Sequence, residues 1–190
     1  MSLRFTSAVL ALALALPVAV SAKSVELTPA NPQPGKLNAG LAVTYAIPNE
    51  VRTLYDAQNA IQKRAIKGDP LVGLSYQDTK EGDPVLTTKF AYKVAALIQG
   101  YIKFDAPGEY KINVLSNDGV RVNIGGQQIA ENDDIHGCEP SGWTTVSVPQ
   151  AGWYEIETLY FQRKGTACLM MQWEAPGQQA TNVPNASFGH

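Results

Sequence analysis

The sequence predicts an all-β domain: an antiparallel β-sandwich or barrel of two sheets with one short accessory helix. Three observations carry this expectation. Between residues 100 and 176, short apolar runs are broken by Pro-Gly, Asp-Gly, Gly-Gly and Ala-Gly pairs, the punctuation of strands joined by tight turns. Within the runs, apolar and polar residues alternate, as Tyr110, Ile112 and Val114 do against Lys111 and Asn113, so one face of each strand is built for a core. Only one segment, near residues 49–66, carries helical spacing instead.

The elements follow in order. Arg4, an apolar run and the small-residue pattern Val18-Ala19-Val20-Ser21-Ala22 read as a secretory signal over residues 1–22, with a core too short to span a bilayer. Residues 23–38 hold three prolines and no apolar period, as an extended leader would. Residues 39–190 then form one domain of ordinary size. Its first strand is expected at residues 40–45. A helix is expected over residues 49–66, opened by Pro48-Asn49 and closed by Lys67-Gly68, with Val51, Leu54, Tyr55, Ile61 and Ala65 on one face, packed as a lid on a sheet.

Residues 69–84 read as a polar loop and residues 87–92 as a weak strand. A strong strand follows at 94–104 and turns at Asp105-Ala106-Pro107-Gly108. After the strand of Tyr110, Ile112 and Val114, Ser116-Asn117-Asp118-Gly119 turns the chain into Val120, Val122 and Ile124. Gly125-Gly126 makes a hairpin. A polar loop at 131–142 precedes strands at 144–148, 153–161 and 168–173, and Val183-Pro184 and Phe188 anchor a final edge segment.

Composition narrows the function classes. The formal net charge is −2 and no basic stripe is present, so nucleic acid is not an expected partner. Stable membrane insertion is not expected either. The two cysteines, Cys138 and Cys168, lie in the exported part, and an oxidising compartment favours their pairing as a disulfide. A metal site from His136, Cys138 and Cys168 lacks a full ligand set, because the remaining histidine is His190. With two histidines, no nucleophile elbow, no phosphate-cradling loop and no His-Glu-x-x-His motif, an enzyme is not expected. Asp118 and Asp133 as a glycosidase pair would need a spacing across a cleft that the sequence does not set. Asn185-Ala186-Ser187 matches a glycosylation acceptor.

The order of Gly100-Tyr101, Pro107-Gly108-Glu109-Tyr110, Asn117-Asp118-Gly119-Val120, Ile124-Gly125-Gly126, Ala151-Gly152-Trp153-Tyr154 and Trp173-Glu174-Ala175-Pro176 resembles the domain family named for the fourteen-kilodalton fragment of anthrax protective antigen. The resemblance covers nearly all of residues 39–190. It implies two antiparallel sheets and a lectin-like, calcium-assisted module, secreted or periplasmic, that contacts glycans or cell-surface polysaccharide. In the sugar-binding members an Asp-Asp pair and a later Asn hold calcium, which holds sugar hydroxyls. Carried onto this chain, the ligand set is Asn117, Asp118 and Gln162, with Arg163 in the following loop. Two departures stand out: Asn117 replaces the first Asp and Gln162 replaces Asn, so the set has a single carboxylate and would hold calcium weakly.

The residues also support a blander reading. Asn-Asp-Gly is a good turn without any ligand, and a non-catalytic structural or protein-interaction domain with a degenerate site is the alternative, its protein partner unknown. Glu131, Asp133 and Asp134 form a second acidic cluster, read either as a contribution to a cation site or as a solvated loop face. Trp153 and Trp173 are expected in the core, and Trp143, after Ser141-Gly142, is the tryptophan expected to stack on a sugar.

Overall fold

Alternation of apolar and polar residues sorts the strands onto two facing sheets. The computed structural model describes residues 24–190; the expected signal over residues 1–22 lies outside the described residues. In chain order the elements are β1 (Val25–Glu26), β2 (Ala42–Ala46), α1 (Leu54–Lys63), β3 (Ile66–Lys67), β4 (Ser75–Tyr76), β5 (Val94–Phe104), β6 (Gly108–Asn117) and β7 (Val120–Ile124). They continue with β8 (Gln127–Asn132), β9 (Glu139–Pro140), β10 (Thr144–Val148), β11 (Gly152–Gln162), β12 (Cys168–Glu174), β13 (Thr181–Asn182) and β14 (Phe188–Gly189). One sheet runs β1-β10-β6-β12-β13, with β4 on β12 and β9 on β6; the other runs β3-β2-β5-β11-β7-β8, with β14 on β5. Every pairing is antiparallel except the parallel β1–β10.

The inner faces meet in one core. Tyr110, Ile112 and Val114 of β6 and Leu169 and Met171 of β12 face Val120, Val122 and Ile124 of β7 and Tyr154, Ile156 and Tyr160 of β11, all buried. At one end Phe104 packs edge-on to Tyr110 at 4.9 Å and to Tyr154 at 5.2 Å between ring centroids, with Trp173 tilted against the cluster. Edge-to-face pairs of this kind add about 0.5–1.5 kcal/mol beyond area burial. Trp173, half-buried, is therefore a packing residue, as expected; Trp153 is half-buried too but is not packed on this core, contrary to expectation. The expected leader is woven into the sandwich: Leu27 is buried, and the amides of Leu27, Thr28 and Ala30 donate to the carbonyls of Ser147, Gly125 and Trp153.

The second sheet buries part of its outer face too. Ala46, Ala95, Leu159 and Phe161 point away from the main core and are covered by α1 through Leu54, Ala57 and Ile61. The lid packing matches expectation, but the helix is shorter than residues 49–66. It starts at Thr53, whose hydroxyl accepts from the Asp56 amide at 3.1 Å, a stronger N-cap than Pro48-Asn49 offered. It ends at Lys63 because Ile66 pairs with Tyr45 on the sheet edge. Tyr55, expected on the buried face, is 74% exposed, and Ala65 is exposed as well.

Residues 87–92 form no strand. The Thr88 hydroxyl donates to the carbonyls of Val85 and Phe90 while Val85 donates to Phe90, so local side-chain bonds fold this segment into a knot of turns.

Gly119 sets one packing limit. A Cβ there would meet the ring of buried Phe161 at 2.2 Å. Gly119→Ala is expected to cost about 1–3 kcal/mol, the usual range for overpacking, read as a lower melting temperature. An unchanged melt would show that the Phe161 ring can move aside.

Candidate functional site

β6 belongs to one sheet and β7 to the other, so the turn between them crosses the sandwich at one pole. Asn117 closes β6 opposite Cys168, and Val120 opens β7 opposite Tyr160. Asp118 lies between them at 2% exposure, with a cis peptide bond preceding it. Its amide donates to the Phe161 carbonyl at 3.1 Å, and Phe161 returns a bond to Gly119 at 2.9 Å. The Tyr160 hydroxyl donates to the Asn117 carbonyl.

The Asp118 carboxylate holds two loops. Oδ1 accepts from the His136 amide at 3.1 Å, and Oδ2 accepts from the Arg163 amide at 2.7 Å. Loop 163–166 is closed from below as well. Asn117 Nδ2 donates to Thr166 Oγ1 at 2.8 Å, and Gln162 Nε2 donates to the Thr166 carbonyl at 3.1 Å. Gln162 is fully buried, and its Oε1 has no hydrogen-bond partner among the described residues. Asn117, Asp118, Gln162 and Arg163 therefore come together at this pole.

Burial holds the Asp118 carboxyl above the usual carboxylate range, against the lowering effect of the Arg163 and His136 amides and of the nearby His136 and Arg163 side chains. The folded chain thus keeps this proton to higher pH than the unfolded one. The contribution of Asp118 to stability is therefore fully present below the unfolded titration point and is lost as pH rises through the folded one.

Cys138 and Cys168 are joined in a disulfide with their Cα atoms 5.9 Å apart, as expected. It fastens the loop carrying His136 to the first residue of β12, beside Asn117. The Asp78 carboxylate lies close to both sulfurs, but sulfurs bonded to each other are not thiolate ligands. The acidic cluster is dispersed rather than focused on a cation. Glu131 faces Arg121 at 3.9 Å, Asp133 accepts from the Leu54 amide at the start of α1, and Asp134 accepts from the Ile135 amide.

The rim is cationic. Arg163 Nε donates to Glu50 Oε1 at 2.7 Å, with Arg52 Nε 3.3 Å from the same oxygen and Lys93 Nζ 3.8 Å from Oε2. The Arg163 hydrogen bond, and then the charges of Arg163, Arg52 and Lys93, hold the Glu50 carboxyl below its usual range.

Trp143 is 44% exposed but is not brought to the turn. It precedes Thr144, which pairs with Ile112. Its place on the sheet is therefore four residues from Asn117, about 13 Å at the rise of a strand. The aromatic that sequence reasoning passed over is Tyr92, 40% exposed and adjacent to Lys93, whose amide donates to the Arg163 carbonyl at 3.0 Å. A ring flanked by lysines in a Thr-rich segment was the available signal; the strand assignment over residues 87–92 hid it.

The model of the PA14 domain matches residues 62–187. A comparison with curated proteins finds no match. Among solved structures, the chain is similar to the PA14 domain of the MpAFP antifreeze protein, with a TM-score of 0.68 and 17% identity, covering 82% of this chain and 92% of that one. It is similar to a PA14 sugar-binding domain from an RTX adhesin, with a TM-score of 0.63 and 16% identity over 80% and 98% of the two chains. It is also similar to the A domain of epithelial adhesin 6 from Candida glabrata in complex with Galβ1-3GlcNAc, with a TM-score of 0.67 and 13% identity over 88% and 92%. At these identities the likeness is one of fold.

Proposed function

The chain belongs to the PA14 domain family, and from that membership we propose that it is an exported, non-catalytic carbohydrate-binding module whose glycan site is the pole around Asn117, Asp118, Gln162 and Arg163. The observation that carries this reading is the convergence of one buried carboxylate, two amide side chains and a cationic rim on a single inter-sheet turn, held by bonds from two separate loops. That solved domains of the same fold are described as sugar-binding or carry a bound disaccharide supports it. The disulfide supports an oxidising, secreted or periplasmic location. No helix of the described residues is long and apolar enough to cross a membrane.

The donor set fits calcium at low charge. Each Asp118 oxygen accepts one N–H and keeps a second acceptor position. Gln162 Oε1 is a buried oxygen without a partner among the described residues, and the Asn117 amide keeps its oxygen for coordination. Calcium takes six to eight oxygens, with affinity rising with ligand charge, so a set with one carboxylate falls in the weak range. Bound calcium would supply a Lewis-acidic point for sugar hydroxyls. The chain's own residues orient the ligand: Asp118 fixes both loops, and Arg163 lines the rim.

A glycan array and a thermal melt, each in EDTA and in calcium, test this reading. With a Kd of about 1 mM, 10 mM calcium stabilises by about 1.4 kcal/mol, a rise in melting temperature of roughly 3–5 °C at this size. Saturable glycan binding that strengthens with calcium is the expected result. No glycan binding and no shift would instead favour a structural or protein-interaction domain, a reading motivated by both Asp118 oxygens already holding backbone N–H groups.

A further inference from the structure

The rim of the proposed site carries more positive charge than its own carboxylate balances. Arg163, Arg52 and Lys93 all converge on Glu50, at 2.7, 3.3 and 3.8 Å. Lys164, next in sequence, is exposed. Asp56, Asp133 and Asp134 keep their charges but face backbone amides, those of Arg52, Leu54 and Ile135, and among the described residues none of them forms an ion pair with the three cations. Asp118 is buried behind the rim.

Arg163 is also the best-placed member of the group. Its amide is bonded to Asp118 and its carbonyl to the Lys93 amide, so its backbone is fixed relative to the buried carboxylate. The bond to Glu50 uses Nε, and a guanidinium carries four further N–H donors in a planar fork that matches a carboxylate or sulfate. The Glu50 carboxyl is held low first by the Arg163 hydrogen bond and then by the charges of Arg163, Arg52 and Lys93.

We infer that this site takes an acidic glycan, a sugar bearing a carboxylate or sulfate group that docks on Arg163 with Lys93 and Arg52 beside it. The inference rests on the carbohydrate reading above and names the ligand class for the same pole. The anion would share the three cations with Glu50. The Arg163 side chain is 20% exposed and that of Glu50 43%, so the gain is that of a partly exposed charge contact strengthened by a bidentate fork, about fivefold in Kd at low salt.

The test is calorimetric titration of the oxidised chain with three matched oligosaccharides: one built on glucuronic acid, its neutral glucose counterpart, and the glucose counterpart carrying sulfate. Each is run at low and at high salt and repeated with an Arg163→Gln variant, which keeps the backbone amide that bonds Asp118 and whose fold is checked by circular dichroism. The expected result is about fivefold tighter binding of one or both acidic sugars, a preference that shrinks with salt and collapses toward one in the variant. Preference for the uronate alone would assign a carboxylate ligand, and preference for the sulfated sugar alone a sulfate. Equal binding of acidic and neutral sugars would overturn the inference while leaving the carbohydrate reading intact. A preference unchanged in the variant would also overturn it, because the anion would then be held elsewhere. No binding of any sugar would overturn both.

Discussion

Replacing Cys138 and Cys168 together by alanine is expected to lower stability by about 3–4 kcal/mol, the chain-entropy value for closing a loop of this length. The two cysteines are 30 residues apart, and the enclosed segment holds β9, β10 and β11. Their covalent link restricts the unfolded chain without adding a contact to the core. At roughly 2–4 °C per kcal/mol for a domain of this size, the melting temperature should drop by about 7–15 °C. Guanidinium unfolding of the oxidised, reduced and double-alanine forms measures this directly, and a loss below about 1 kcal/mol would contradict the entropic account. A second consequence is local. Cys138 lies two residues from His136, whose amide holds Asp118, so any calcium-induced shift should shrink in the double variant by more than its lower stability explains.

Asp118→Ala should be nearly as damaging. Its carboxylate accepts from the amides of His136 and Arg163, and alanine leaves both donors without their acceptor in a buried setting. Each orphaned buried donor costs about 1–3 kcal/mol. Removing a carboxylate that burial disfavours returns part of this, and a net loss of about 3 kcal/mol is expected. Asp118→Asn keeps one acceptor oxygen and sheds the charge, so it should fall well short of the alanine effect. Denaturant melts rank the variants. Hydrogen exchange at the His136 and Arg163 amides then shows whether the loss sits at the pole: faster exchange at those two amides alone is expected, and uniform acceleration would point to global destabilisation instead.

Much of this architecture was legible from residue order. β5 and β10 have the bounds that alternation and flanking turns implied, because a strand between two turns has little freedom in where it starts. The helix was placed correctly on a sheet but drawn too long. Ala65 and Ile66 continue an apolar spacing, and only the pairing of Ile66 with Tyr45 takes them out of the helix, a tertiary contact that periodicity does not carry. Residues 87–92 failed for a related reason, since Thr88 satisfies the backbone locally.

The site divides in the same way. The Asn-Asp-Gly turn was visible as a turn, and the loop after Gln162 came from the family resemblance. What fixes Asp118 was not visible: its two donors lie 18 and 45 residues away in sequence, and neither amide has a side-chain signature. The rim around Glu50 was equally hidden, because Lys93 and Arg163 meet it across 43 and 113 residues.

The pairing of β14 with β5 also decides how the molecule can be handled. Gly189 sits opposite Tyr101, while Val94, at the start of β5, sits opposite Gln162. Seven residues of extended strand separate the two positions, about 23 Å. His190 is clasped to Asn38 by two backbone bonds at that distant end. A biosensor surface coupled through His190 would therefore hold the domain like a stalk, with the Asp118 pole facing the flow.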